Sequence, residues 1–332
     1  MTIDIGRRQF ISALGGAAAA WPLAARAQQP QQRRLGLLLA YTEDDSIGQQ
    51  FVTAFVQGLR DLGWTDGGNI HIDYRWCGFD VDRIRRAASE LLELKPDAIL
   101  AQSTLTLQPL QQMTTTVPLV FVQVADPVGS GFITSMANPG GNITGFALAE
   151  FATSNKMLEV LKELVPQVKR VVVIYNPVQA PNVGMWRAIE AAAPSLSVHV
   201  SAVSAVDADN LTHVIEAIAR EPNSGMIVLP NPIIIANRKL IIELTTRYRL
   251  PVVYTYAYFV REGGLASYGS DPAVQYRQAA SYVDHILKGA KPADLPVQLA
   301  TSFNLAVNLR AAKAIGLTIP ESFLIRADEV IE

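Results

Sequence analysis

Residues 118–146 read PLVFVQVADPVGSGFITSMANPGGNITGF. Leu119-Val120-Phe121-Val122 is a short apolar run of the kind that fills a buried strand. Asp126-Pro127 suits a helix start, because the carboxylate accepts the first free amides and proline has no N–H to satisfy. Gly129-Ser130-Gly131 then reads as the loop that opens a short helix. Asn138-Pro139-Gly140-Gly141-Asn142 is a dense cluster of turn formers, and Ile143-Thr144-Gly145-Phe146 is extended again. The segment therefore predicts a strand, a turn at ligand height, a short helix and an exit from the domain.

Moving outward, the chain falls into two similar halves. In the first, Leu35–Leu39 is a continuous apolar run ending at Ala40-Tyr41-Thr42, followed by a helical pattern to Leu62. Asn69–Trp76 alternates as a strand, Val81–Leu94 is helical, and Ala98–Ala101 delivers Gln102-Ser103-Thr104. In the second, Lys169-Arg170 precedes the apolar run Val171–Tyr175, as Arg33-Arg34 precedes Leu35–Leu39. Gly225–Leu229 delivers Pro230-Asn231-Pro232, and Leu250-Pro251-Val252-Val253-Tyr254 mirrors Val117-Pro118-Leu119-Val120-Phe121. Three matched strands at a nearly constant separation, each alternating with helices, predict an α/β chain of two doubly wound parallel-sheet lobes. In the tail, 272–288 and 305–314 read as helices, and 265–268 and 298–304 as extended. Such a tail can return to one lobe and then the other, which predicts a multi-strand hinge. The expected boundaries are 33–145 plus about 269–297 for lobe 1, and 146–268 plus about 298–332 for lobe 2. Gly145, Phe146, Tyr268 and Gly269 are the expected hinge residues.

The N-terminus reads as an address. Arg7-Arg8-Gln9-Phe10-Ile11 is a twin-arginine pattern, followed by an Ala/Gly-rich apolar run and an A-x-A site at Ala25-Arg26-Ala27. Residues 1–27 are expected to be a cleaved signal peptide and 28–32 a linker. No cysteine sits at the cleavage site, so no lipid anchor is expected. Bulk properties narrow the partners. The 332 residues suit about two domains. A net charge of −2 supplies no electrostatic footprint for nucleic acid. Beyond the N-terminus, no apolar run approaches a membrane helix. Cys77, the single cysteine, closes an alternating strand and is expected to be inert.

Catalytic signatures are missing. The four histidines are scattered without a metal-ligand spacing, and neither a phosphate loop nor a nucleophile elbow is present. No cofactor and no catalytic residue is expected. What remains is a set of polar and aromatic residues at strand C-termini, where open α/β sheets bind ligands. Tyr41, Thr42, Ser103, Thr104 and Asp126 come from the first half, and Asn176, Asn231, Tyr254 and Tyr256 from the second. If the halves face each other, these line one cleft. Tyrosines supply flat apolar walls with a polar rim. Ser103 and Thr104 lie where a helix begins and free amides suit a carboxylate, and Asp126 could pair with an ammonium group. Each also has a structural role open to it. Asp126 serves equally as a cap, Asn176 and Asn231 precede proline as turn residues do, and Tyr256 could lie in the core.

At Ala125-Asp126-Pro127-Val128-Gly129-Ser130-Gly131 and Asn138–Gly145 the chain resembles the ABC-transporter substrate-binding proteins related to the bacterial tryptophan-binding component. Gly263–Gly269, Ala312–Pro320 and Ala327–Ile331 carry the same likeness, which covers 33–332. The resemblance implies a type I periplasmic-binding fold, capture of a small solute between lobes, and delivery to an inner-membrane permease and its ATPase. It also implies a periplasmic location and, as ligand, an aromatic or other amino acid or an aromatic acid. A ligand-sensing partner of a membrane receptor is the alternative reading. An exported enzyme on the same scaffold is disfavoured by the lack of a nucleophile–base pair.

Overall fold

The computed structural model describes residues 32–148, 154–205 and 207–332. The expected signal residues Arg7, Arg8, Ala25 and Ala27 lie outside the described residues. The strands are β1 Arg33–Leu39, β2 Ile70–Trp76, β3 Ala98–Gln102, β4 Leu119–Ala125, β5 Ile143–Leu148, β6 Arg170–Tyr175 and β7 His199–Ser204. They continue as β8 Ser224–Val228, β9 Val252–Tyr254, β10 Ala266–Gly269, β11 Gln298–Leu299, β12 Asn304–Asn308 and β13 Glu329–Ile331. The helices of the first part are α1 Ser46–Asp61, α2 Val81–Glu93 and α3 Ser103–Met113. Then come α4 Ser154–Leu164, α5 Ala180–Ala192, α6 Ala208–Ala219, α7 Pro232–Ala236, α8 Arg238–Arg247 and α9 Ala257–Arg261. The tail carries α10 Pro272–Leu287, α11 Leu309–Ala314 and α12 Glu321–Leu324.

Two sheets form, ordered β11-β5-β4-β3-β1-β2 and β13-β12-β10-β9-β8-β6-β7. Five strands of each share one order: β5-β4-β3-β1-β2 matches β10-β9-β8-β6-β7, so the repeat read from sequence is a repeat of topology. All pairs in the first sheet are parallel. In the second sheet β10 and β12 run antiparallel and the other pairs are parallel. This arrangement is the type I periplasmic-binding fold. The strands are continuous apolar runs because helices cover both faces: Leu35 and Leu37 pack beneath α1, while Leu38, Ile99 and Phe121 pack with α2 and α3.

The tail divides between the sheets. α10 lies against α1, where a Cβ on Gly58 would come within 2.9 Å of the Ala280 Cβ. Trp64 Nε1 also donates to Asp284 Oδ1 at 2.9 Å. β11 joins the first sheet beside β5, and β12 and β13 join the second. Strand pairing thus carries the first sheet to Leu148 and again to Leu299, past the expected boundaries at 145 and 297. Among the described residues, consecutive strands change sheet three times, after β5, after β10 and after β11. Gly145 and Phe146 are not at a crossing. Gly145 sits inside β5 at φ 155°, where a Cβ would lie 2.1 Å from the Phe121 carbonyl oxygen. Its lack of a side chain lets β4 and β5 approach. Phe146 is core, packed on Tyr282 with ring centroids 4.8 Å apart. Tyr268 and Gly269 end β10 just before the second crossing.

Two expected elements differ. No helix follows Asp126: residues 127–131 form successive turns, because Gly131 at φ 72° leaves the helical region after one turn. Leu305–Asn308 is strand rather than helix, since pairing with β10 and β13 claims its apolar run. Short apolar runs do not distinguish the two by period.

Candidate functional site

The carboxyl edges of both sheets face one cavity of about 460 Å³. That volume lies within the ~300–1,000 Å³ typical of small-molecule sites. From the first sheet, β3 and α3 bring Gln102, Ser103, Thr104 and Gln108, and β4 brings Gln123. Phe79, Phe132 and Leu148 supply apolar wall. From the second sheet, the start of α5 after β6 brings Gln179 and Asn182, the N-cap of α7 and α7 itself after β8 bring Asn231 and Ile235, and the chain just past β9 brings Tyr256. A second depression of about 650 Å³ is built from α8, α9 and the loop after it, α11, and Asn308 and Ile331 of β12 and β13. It draws on the second sheet only.

Four of the nine residues expected at the site line the cavity: Ser103, Thr104, Asn231 and Tyr256. The other five do not. Tyr41 is fully buried behind Phe79, edge-on to it at 5.4 Å and to Phe51 at 5.9 Å. Thr42 is exposed and packs on the Gly78 turn. Asp126 turns its carboxylate onto the Gly129 N–H at 2.9 Å, so it braces the loop that carries Gly129 and Ser130 into the cavity lining. Asn176 makes a turn, its Oδ1 accepting from the Val178 N–H at 3.1 Å. Its own N–H donates to Asn182 Oδ1 at 3.0 Å, which holds Asn182 at the wall. Tyr254 is core, stacked on Phe259 at 4.7 Å with its hydroxyl 3.3 Å from Thr245 Oγ1. Burial pushes the Tyr41 and Tyr254 phenols well above the ordinary range, so both remain neutral.

The polar residues missed were chiefly amides, and the rings Phe79 and Phe132 were missed with them. Gln108, Gln111 and Gln112 on α3 all line the cavity. Their i, i+3, i+4 spacing marks one helix face, a signal that was present in the sequence. Gln102 and Gln123 are buried strand residues. Nothing in their spacing separates them from core.

The start of α3 has an unusual arrangement. Gln102 occupies its N-cap position but makes no capping bond. Its Oε1 instead accepts from the Ala40 N–H at 2.9 Å. The first amides of the helix therefore stay uncapped by that side chain and lie beside Ser103 and Thr104 at the cavity. Ser103 holds φ 76° and its buried Oγ has no hydrogen-bond partner. Phe79, Gln123 and Asp126 also have positive φ, at 59°, 56° and 42°. Strained backbone of this kind gathers at binding sites because the surroundings must over-determine it.

An ion-pair cluster ties the two sheets together. Arg238 on α8 reaches Asp45 ahead of α1, Nη1 to Oδ2 at 2.7 Å, and Glu262 beside α9, Nε to Oε2 at 2.8 Å. Arg238 is only 5% exposed. Phe51 on α1 meets Tyr258 on α9 edge-on at 6.2 Å. Among the described residues no group of three His, Cys, Asp or Glu could hold a metal, and no helix is long and apolar enough to cross a membrane.

Comparison with known proteins agrees with this geometry. A structure of a conserved domain protein from Vibrio cholerae superposes with a TM-score of 0.82 at 27% identity, covering 90% of this chain and 100% of that one. An ABC domain from Streptococcus pneumonia in complex with L-Trp gives a TM-score of 0.83 at 22% identity, covering 91% and 100%. A curated tyrosine-binding protein of Clostridioides difficile (strain R20291) is 25% identical over 263 residues, 79% of this chain and 75% of that one. The profile described as ABC transporter substrate binding protein matches residues 38–331. A chain with two sheets of one topology, a shared cavity at their carboxyl edges and a family match over nearly its whole described length belongs to the ABC transporter substrate-binding proteins.

Proposed function

We propose that the chain captures an aromatic amino acid or aromatic acid in the cavity between its sheets and hands it to an inner-membrane ABC permease and its ATPase. The observation that carries this is the wall chemistry. Phe79 and Phe132 on one side and Tyr256 on the other offer ring faces, and amides and hydroxyls surround them. Rings accept an aromatic side chain by stacking or edge contact, and the uncapped start of α3 beside Ser103 and Thr104 suits a carboxylate. The tyrosine-binding relative and the L-Trp-bound neighbour support this ligand class. The sheets act as two lobes, hinged at the three crossings, and closing on the ligand buries it. The ligand-contact set is Ser103, Thr104, Asn231 and Tyr256 with Phe79, Gln102 and Gln123. The protein works in the periplasm, after twin-arginine export and removal of 1–27.

The test is calorimetry and thermal shift on residues 28–332 with L-tryptophan, L-tyrosine, their keto and aryl-acid analogues, and a control panel of aliphatic amino acids and sugars. Saturable heat and a raised melting temperature with an aromatic compound are expected. Binding confined to a sugar or an aliphatic amino acid would overturn the ligand class.

A further inference from the structure

Gln123 interrupts an otherwise regular strand. β4 and β5 pair in register up to Val122↔Phe146 and resume at Val124↔Ala147, leaving Gln123 as a bulge. Its φ of 56° is uncommon for a residue with a side chain. A bulge takes a residue out of the ladder and leaves backbone groups to be satisfied in another way. A single side chain meets that need. Gln275 on α10 accepts from the Gln123 N–H through Oε1 at 3.2 Å and donates through Nε2 to the Ala147 carbonyl at 3.2 Å. It thus spans the break on both sides. Gln275 is 2% exposed and does not line the cavity.

The bulge has a chemical consequence, because Gln123 does line the cavity. Gln102 gives its Oε1 to the Ala40 N–H, an obligate donor, so its Nε2 is what remains to meet Gln123. Gln123 accepts with Oε1 at 3.2 Å. The amide of Gln123 is oriented by this relay: its Oε1 is taken by Gln102, and its Nε2 hydrogens remain for the cavity that Gln123 lines. The orientation of Gln275 is set in the same way, by a backbone N–H on one side and a carbonyl on the other.

We infer that Gln275 is the positioning residue of the site: it holds the Gln123 bulge open, so that Gln123 presents amide hydrogens to an oxygen of the ligand. The assignment rests on the cavity being the ligand site, as proposed above. It adds a residue that touches neither cavity nor ligand. A regular β4 would return Gln123 to the strand's alternation and withdraw its amide from the wall.

The test has a ligand-independent arm and a ligand arm. In a crystal structure of Gln275→Leu, β4 is expected to pair with β5 without the bulge, or Gln123 to leave the positive-φ region. A bulge unchanged in Gln275→Leu overturns the inference. Gln275→Glu keeps the acceptor for the Gln123 N–H and is expected to keep the bulge; it serves as the folded comparison if the leucine variant does not accumulate. Loss of the bulge in Gln275→Glu would overturn the role given to that acceptor. In the ligand arm, calorimetry with L-tyrosine and L-tryptophan is expected to show Gln275→Leu weakened about tenfold, the scale of one hydrogen bond. Combining it with Gln123→Ala should add no further loss beyond Gln123→Ala alone. Additive losses would assign Gln275 a general structural role and overturn the inference. If wild type binds neither compound while Gln275→Leu flattens the bulge, the ligand class fails and the positioning role stands.

Discussion

Replacing Asp45 by Asn isolates the electrostatic part of the contact between the sheets. Asp45 does two things. Its Oδ1 caps α1, accepting from the Ile47 and Gly48 N–H groups at 2.9 and 3.0 Å, and its Oδ2 meets Arg238 at 2.7 Å. Asn caps a helix as well as Asp, so the cap survives while the charge is lost. Arg238 keeps Glu262 at 2.8 Å. The full cost of orphaning a buried charge, about 3–5 kcal/mol, is therefore not expected. One charge-assisted hydrogen bond is lost, about 1.5–3 kcal/mol. Because the pair joins α8 to the start of α1, that loss falls on the docked arrangement of the two sheets. A docked state weakened by about 2 kcal/mol corresponds to about thirtyfold in its population against an open one. Apparent affinity for a ligand that needs the docked state falls by up to the same factor. The assay is calorimetric Kd for L-tyrosine and L-tryptophan, with small-angle scattering of the unliganded protein. Asp45→Asn is expected to weaken binding about ten- to thirtyfold and to raise the radius of gyration, whereas Glu262→Gln leaves the radius unchanged. Kd within twofold of wild type together with an unchanged radius would refute the idea that this pair governs docking.

Four further outcomes follow from the geometry. Tyr256→Ala and Phe79→Ala should each weaken an aromatic ligand by about 1–3 kcal/mol, read as Kd, with aliphatic compounds little affected; equal losses for both classes would count against ring recognition. Gly145→Ala places a methyl group against the Phe121 carbonyl, and a loss of roughly 2–4 kcal/mol in denaturant unfolding is expected; a neutral substitution would refute the close approach of β4 and β5. Cys77 is fully buried, and burial pushes its thiol up to about 11, so at pH 8 a thiol reagent should label it only in denaturant, and rapid native labelling would contradict this. The Arg34 guanidinium, hydrogen-bonded at 2.7 and 3.1 Å, holds the Asp73 carboxyl below its usual range. That stabilisation is complete above the unfolded carboxylate value near ~4 and is lost as pH falls through the lower folded value. Solvent around Arg34 keeps the contribution small, but unfolding midpoints should decline more steeply below about pH 4 in wild type than in Asp73→Asn, and identical profiles would rule the pair out.

The sequence by itself determined the repeat. Strands such as Leu35–Leu39 and Val171–Tyr175 are apolar on both faces because each is an interior strand of a sheet covered on both sides, and burial of that kind is written into consecutive residues. It also determined that cavity-lining groups stand at strand ends: Ser103, Thr104, Asn231 and Tyr256 are there because chain order alone puts them after β3, β8 and β9. Only the tertiary structure decided which side chain at a strand end turns inward. Tyr41 and Tyr254 occupy the expected heights, but Phe51, Phe79 and Phe259 offer them ring partners and draw them into the core. The buried amides were hidden for the complementary reason. Gln102, Gln123 and Gln275 are far apart in the chain and read as ordinary strand or helix residues. Their bonds to each other, and to the Ala40 N–H and the Ala147 carbonyl, exist only once β1, β3, β4, β5 and α10 are packed. Periodicity records whether a residue is buried. What a buried polar atom is bonded to depends on neighbours brought from elsewhere in the chain, and that is settled by packing alone.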